Sequence, residues 1–147
     1  MNKERKLLKE YSVVILILTA LSLVRLIVDL FAFGGLDASK FPATGVPEEV
    51  VKITLIISFV IALVFFIPEV FVGVRGLKEA ENPTGKSGHI VWALILAIFS
   101  AVATISAVID IFSGFDTGKL LEVIDVALDA VIFFMYFLTA KKVANNK

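Results

Sequence analysis

Four long apolar runs, separated by short polar links, organise the chain. An α-helix needs ~20 residues to cross a ~30 Å hydrocarbon layer, and each run is close to or above that length. The runs predict helices over about 11–33, 48–76, 88–115 and 119–141. Within each run the polar and small residues recur at steps of three, four or seven, which sets them on one helical face. Ser12, Thr19, Ser22, Arg25 and Asp29 make the stripe of the first helix. Thr54, Ser58, Ala62, Phe65, Glu69, Gly73 and Gly76 make that of the second. The third carries Ala93, Ala97, Ser100, Thr104 and Ala107, and the fourth Glu122, Asp125, Asp129, Tyr136 and Thr139. These stripes are expected to face one another inside a bundle.

The links carry their own signals. Pro47 followed by Glu48 and Glu49 is a helix start, because proline loses no needed donor there and acids favour the positive end of the dipole. Pro68 removes one backbone hydrogen bond within the second run and predicts a kink. Gly34 to Val46 and Gly76 to Ser87 read as loops, and Gly114 to Gly118 as a tight turn. Met1 to Glu10 reads as a short charged arm. The first run is longer than the ~7–15 apolar residues of a secretory signal and contains Arg25 and Asp29, so an uncleaved helix is expected.

Two words recur in order. Ile27-Val-Asp29-Leu-Phe returns as Val108-Ile-Asp110-Ile-Phe, and Ala62-Leu-Val-Phe65-Phe66 returns as Ala130-Val-Ile-Phe133-Phe134. The expectation is a pair of tandem hairpins related by a pseudo-twofold along the membrane normal.

Composition narrows the class. Of 147 residues, 59% are hydrophobic and 19% charged, against roughly 45–50% and 25% in a soluble domain. Mean hydropathy is +0.95. The expected fold class is all-α, a single integral membrane domain of four transmembrane helices over residues 1–147. With no cysteine and one histidine, the chain offers no disulfide, thiolate site or His-rich metal site. No nucleophile–base pair or cofactor fingerprint appears, so neither an enzyme nor a cofactor is expected. A net charge of zero gives no basis for nucleic-acid binding.

Charge placement adds orientation. Lys3, Arg5, Lys6, Lys9, Arg75, Lys78, Lys86, Lys141, Lys142 and Lys147 fall on the side that holds both termini. The other side and its helix ends hold Arg25, Lys40, Lys52 and Lys119. Basic residues concentrate on the cytoplasmic face of membrane proteins, so both termini are expected to be cytoplasmic in the plasma membrane.

Ionisable residues within spans are costly and mark candidate sites. Counted at ~1.5 Å per residue, Arg25 and Asp129 lie roughly 10–13 Å in from the outer ends. Asp29, Asp110 and Asp125 lie shallower, at about 5–8 Å. Arg25 and Asp129 are expected to form a central ion pair, with Asp29 and Asp125 sharing Arg25 one turn outward. The surplus acids would form an acidic outer mouth for a small cation, proton or cationic solute. Glu69, roughly 9 Å from the cytoplasmic end, reads as a separate inner candidate.

Ala80-Glu-Asn-Pro-Thr-Gly85-Lys86-Ser87 loosely meets a phosphate-loop pattern but lacks the strand that such a loop follows. His89 and Trp92 read as interfacial residues that need no ligand. Besides the lipid bilayer, the expected partner is a second copy or a larger membrane protein, met through the small-residue face of the third helix. An accessory subunit of such a complex is the alternative to a transporter or channel-like protein. The topology is testable because the chain has no cysteine of its own. A cysteine placed at Lys40 or Lys119 should react with an impermeant thiol reagent on intact cells, and resistance at both would reverse the orientation.

Overall fold

The computed structural model describes residues 2–31, 34, 37–40 and 45–146. Phe33, Gly35, Pro42 and Lys147 lie outside the described residues, as does the side chain of Lys40. Among the described residues the elements are α1 (Lys3–Phe31), a short 3-10 turn (Ala38–Lys40), α2 (Glu48–Glu81), α3 (Gly88–Ser113) and α4 (Thr117–Asn145). All four α-helices are long and apolar enough to cross a membrane. They form an up-and-down bundle in which α1 packs on α2 and α4, and α3 packs mainly on α4. The α2–α3 seam is thinner, and both termini sit at one end of the bundle.

Three helices exceed the lengths expected from hydropathy, and tertiary contacts explain the largest differences. The charged arm is not an arm: α1 begins at Lys3, and Arg5 reaches the C-terminus of α2. Its Nε donates to the Ala80 carbonyl at 2.7 Å, and Nη2 donates to the Glu81 carbonyl. A guanidinium there satisfies carbonyls that have no partner within the helix and faces the negative end of the dipole. Lys9 adds a 3.4 Å ion pair to Glu81. With its end capped this way, α2 continues to Glu81 and runs unbroken through Pro68. At the other end of the bundle, Asp116 caps α4 by accepting from the Lys119 amide at 2.8 Å.

Packing is lopsided. The core joins Leu8, Ile15, Val72, Ala80, Ile90, Ala93, Leu96, Ala97, Phe133, Tyr136, Ala140 and Val143, all in the half of the bundle that carries the termini. Among the described residues of the opposite half, only Ala38 and Ala107 are buried. The bundle is closed at one end and splayed at the other.

Glycine sets the closeness of the closed end. A Cβ on Gly73 would meet the Leu16 side chain at 2.6 Å. One on Gly76 would strike the Ser12 Oγ and lie 2.5 Å from the Tyr136 hydroxyl. Small residues at such spacing let helix backbones approach. The small face of α3 is spent similarly: Ala93, Ala97 and Ala107 are buried within the chain. That face was the expected surface for a second copy, and its use inside the bundle removes that argument for an oligomer.

Gly76→Ala should therefore destabilise the bundle by about 1–3 kcal/mol, the usual cost of overpacking. Gly88, beside open space at the first turn of α3, should tolerate alanine without loss. Reversible unfolding in mixed micelles checks both, and equal behaviour of the two variants would contradict the tight contact at Gly76.

Candidate functional site

The splayed half leaves a cleft of about 400 Å³ between α1, α2 and α4. From α1 it is lined by Ser22, Arg25, Leu26 and Asp29, and from α2 by Ala62, Phe65, Phe66 and Glu69. From α4 it receives Asp125 and Asp129. These are the polar stripes read from the sequence. Residues four apart share a helical face, so Arg25 and Asp29 turn into the cleft together, as do Asp125 and Asp129.

The cleft narrows toward the closed end. Its floor is a cavity of about 10 Å³ bordered by Ile15, Leu18, Thr19, Ser22, Glu69, Asp129, Ile132 and Phe133. That is about the space of one water molecule. Thr19 is buried and donates to Glu69 Oε2 at 3.1 Å, which fixes the carboxylate across the α1–α2 contact. Glu69 thus lies at the bottom of the same cleft as the α4 acids, not at a separate inner site. The sequence count from the cytoplasmic end placed its depth but could not show that α1 and α4 stand open above it.

The expected central ion pair differs in register. Arg25 Nη1 lies 3.8 Å from Asp125 Oδ2, and Asp129 is not within ion-pair distance. Depth along each helix did not decide the pairing, because the long guanidinium side chain reaches an acid one turn toward the open end of the cleft. Both side chains are open, 73% and 54% exposed. Asp129 is half-buried and faces Glu69 across the floor.

Asp110 is not in the cleft. α3 contributes no residue to its lining, and Asp110 is exposed at the end of that helix. There its backbone carbonyl accepts from Lys119 Nζ at 3.2 Å and from Ser113 Oγ at 2.8 Å. Sequence similarity between the Asp29 and Asp110 segments therefore does not carry over into a shared site.

No family model, curated protein or solved structure matches this chain.

Beneath the floor lies a polar cluster that hydropathy did not flag. Tyr136 is 0% exposed, its hydroxyl donating to the Val72 carbonyl at 3.0 Å and standing 2.5 Å from His89 Nδ1. A phenol has one proton, so with that proton on Val72 the imidazole must donate through Nδ1–H. His89 is 2% exposed and meets the tyrosine ring edge-on. Its position at the start of α3 suggested an interfacial residue, and only the fold reveals the partner 47 positions away. The nearest sequence signal was Tyr136 itself, a lone phenol on the acidic stripe of α4.

The link between α2 and α3 resolves the phosphate-loop resemblance. Glu79, 3% exposed, accepts from the Thr84 amide at 2.7 Å and the Gly85 amide at 3.2 Å through Oε2. Its Oε1 takes the Thr84 hydroxyl and, at 2.9 Å, Arg75 Nη2. Gly85 has φ +73, the left-handed conformation that turns successive amides inward as an anion nest. Here the anion is the carboxylate of the chain itself. The motif closes a helix connection and leaves those amides no phosphate to bind.

The Arg25–Asp125 pair, being open, should couple weakly. A double-mutant cycle with Arg25→Ala and Asp125→Ala should return at most about 1 kcal/mol. The corresponding cycle with Asp129→Ala should return less. A larger coupling to Asp129 than to Asp125 would restore the register expected from depth alone.

Proposed function

We propose that this chain is a multi-pass membrane protein that binds a cationic solute in the cleft between α1, α2 and α4. The observation that carries the reading is the charge imbalance of that cleft. Asp29, Glu69, Asp125 and Asp129 share it with one cation of the protein's own, Arg25. At least two negative charges therefore need water, protons or an external cation, since an isolated charge in an apolar surround is very costly. Phe65 and Phe66 give the same cleft an apolar wall, and an aromatic face attracts a cation.

Size and ligand geometry favour an organic cation over a caged metal. The volume, about 400 Å³, falls in the range of roughly 300–1,000 Å³ typical of small-molecule sites. Among the described residues no group of three or more His, Asp or Glu converges as a metal would require. In this reading Asp29 and Asp125 attract the solute at the mouth, Glu69 and Asp129 hold it at the floor, and Arg25 limits the net charge. The bundle lies in the plasma membrane with both termini cytoplasmic, and the cleft opens outward. Its hairpins are the pseudo-twofold pair that the repeated words suggest, with α3 alone kept out of the cleft. A proton or small inorganic cation is the alternative occupant of the same acids.

The accessory-subunit reading rests on a different feature. An apolar groove of about 520 Å³ runs along the thin α2–α3 seam past Pro68, Phe71, Trp92 and Phe99. A partner helix or lipid chain would fill it.

The binding test uses tetraphenylphosphonium as probe, with the protein in lipid nanodiscs and calorimetry or equilibrium dialysis as readout. The unaltered protein should bind it. A double Glu69→Gln, Asp129→Asn variant should bind at least about tenfold more weakly, equivalent to ~1.4 kcal/mol. Arg25→Ala should bind more tightly. Equal affinity in the unaltered and double-variant proteins, or no binding at all, would remove the cationic-solute reading.

A further inference from the structure

We propose that Tyr136 is the inner gate of the cleft. Its hydroxyl latches α4 to α2 through the Val72 carbonyl and to α3 through His89, and its release opens the cleft toward the end that carries both termini. The inference rests on the cleft being a solute site as read above, and it adds how that site reaches the other side.

Position is the first argument. The floor and the latch are successive turns of the same helices. On α4, Phe133 borders the floor and Tyr136 follows three residues on. On α2, Glu69 borders the floor and Val72 follows three residues on. Residues three apart share a helical face, so the phenol lies directly below the Glu69–Thr19 hydrogen bond. The cleft is thus a blind passage, open at one end and stopped at Tyr136.

Chemistry is the second argument. A permanent stop at this depth would be built from aliphatic side chains, as the surrounding core is. Instead four helices meet at one hydroxyl, whose partners are a carbonyl, an imidazole and the Ser12 side chain. Those groups can exchange each other for water at little net cost, whereas an apolar plug has nothing to exchange. α3 lines none of the cleft, yet through His89 it holds the group that seals it. Loss of the latch removes the polar tie of α4 to α2 and to α3 at once. Gly76 supplies the space the hydroxyl occupies, and a methyl there would collide with it.

The experiment exploits the absence of native cysteine. Ser22→Cys puts one exposed reporter where the cleft meets its floor, and the protein is reconstituted into vesicles in a single orientation. An impermeant maleimide is then applied from each side. With Tyr136 intact, the reporter should label only from the side opposite the termini. Tyr136→Phe keeps the ring and removes the hydroxyl, and it should raise labelling from the termini side at least tenfold. His89→Leu keeps the tyrosine and removes its α3 partner, and it should move labelling in the same direction.

Termini-side labelling that stays at the starting level in both variants overturns the gate. So does equal labelling from both sides with Tyr136 intact, because nothing is then sealed. A reporter that labels from neither side in any background overturns the blind passage itself. If neither variant yields folded protein, the latch is a fixed brace and the proposal fails. Failure of the cation reading shows separately: a protein that binds no tetraphenylphosphonium yet gains termini-side labelling keeps the gate and loses the ligand.

Discussion

A single buried hydroxyl sets the terms for half of the molecule. Leaving the Tyr136 phenol without partners would cost about 1–3 kcal/mol, so every helix around it is arranged to satisfy it or to make room. α2 offers the Val72 carbonyl and withholds a side chain at Gly76. α3 carries His89 in its first turn, placed so that Nδ1 meets the phenol oxygen. Ser12 bonds its own Leu8 carbonyl at 2.7 Å and meets the phenol from α1, which leaves no polar side-chain atom of that cluster unmatched. The apolar core then assembles around this point and goes no further.

The opposite half is governed by repulsion. Four carboxylates and one guanidinium cannot be pressed into a dry core, because burying the surplus charge costs more than the added apolar contact contributes. The splay is therefore a consequence of residue type. At the termini end the same kinds of group are resolved within the chain: Glu79 takes Arg75 and two loop amides, and Arg5 takes the last carbonyls of α2. One end neutralises its charges with its own partners, and the other leaves its charges facing a cavity. That contrast gives the cleft its direction.

Much of this was legible from periodicity. The stripe Ser12, Thr19, Ser22, Arg25, Asp29 faces inward along its whole length, first into the packed end and then into the cleft. The stripe of α2 does the same from Ala62 to Gly76, while Thr54 and Ser58 turn to their own helix and bond carbonyls four residues back. A 3.6-residue period carries that information directly. Pairing between helices is another matter. Depth counted along each helix put Arg25 level with Asp129, but a long side chain can choose among acids one turn apart. Helix ends were equally hidden, since hydropathy falls off where Arg5 and Glu81 begin while the hydrogen-bonded backbone continues. His89 shows the limit most clearly. A lone histidine beside a polar loop has no local signal that separates a surface residue from one that is 2% exposed.

The repeated words show how similar segments diverge in use. Asp29 enters the cleft and Asp110 stays at a helix end. Phe65 and Phe66 line the cleft, while Phe133 closes its floor and Phe134 borders an outer groove between α3 and α4. The difference follows from the residues facing each segment. α1 is opposed by α2 and α4, and the acids of all three outnumber Arg25 at the open end. α3 is opposed mainly by α4 and presents alanines, which invite close packing. The polar faces of α1 and α4 wall the cleft together with α2, and the small face of α3 makes that helix the buttress behind α4. In a bundle of four helices those two tasks compete for the same interior. Dividing them between the two ends of the bundle lets one short chain hold a charged cavity open at one end and a closed seal at the other.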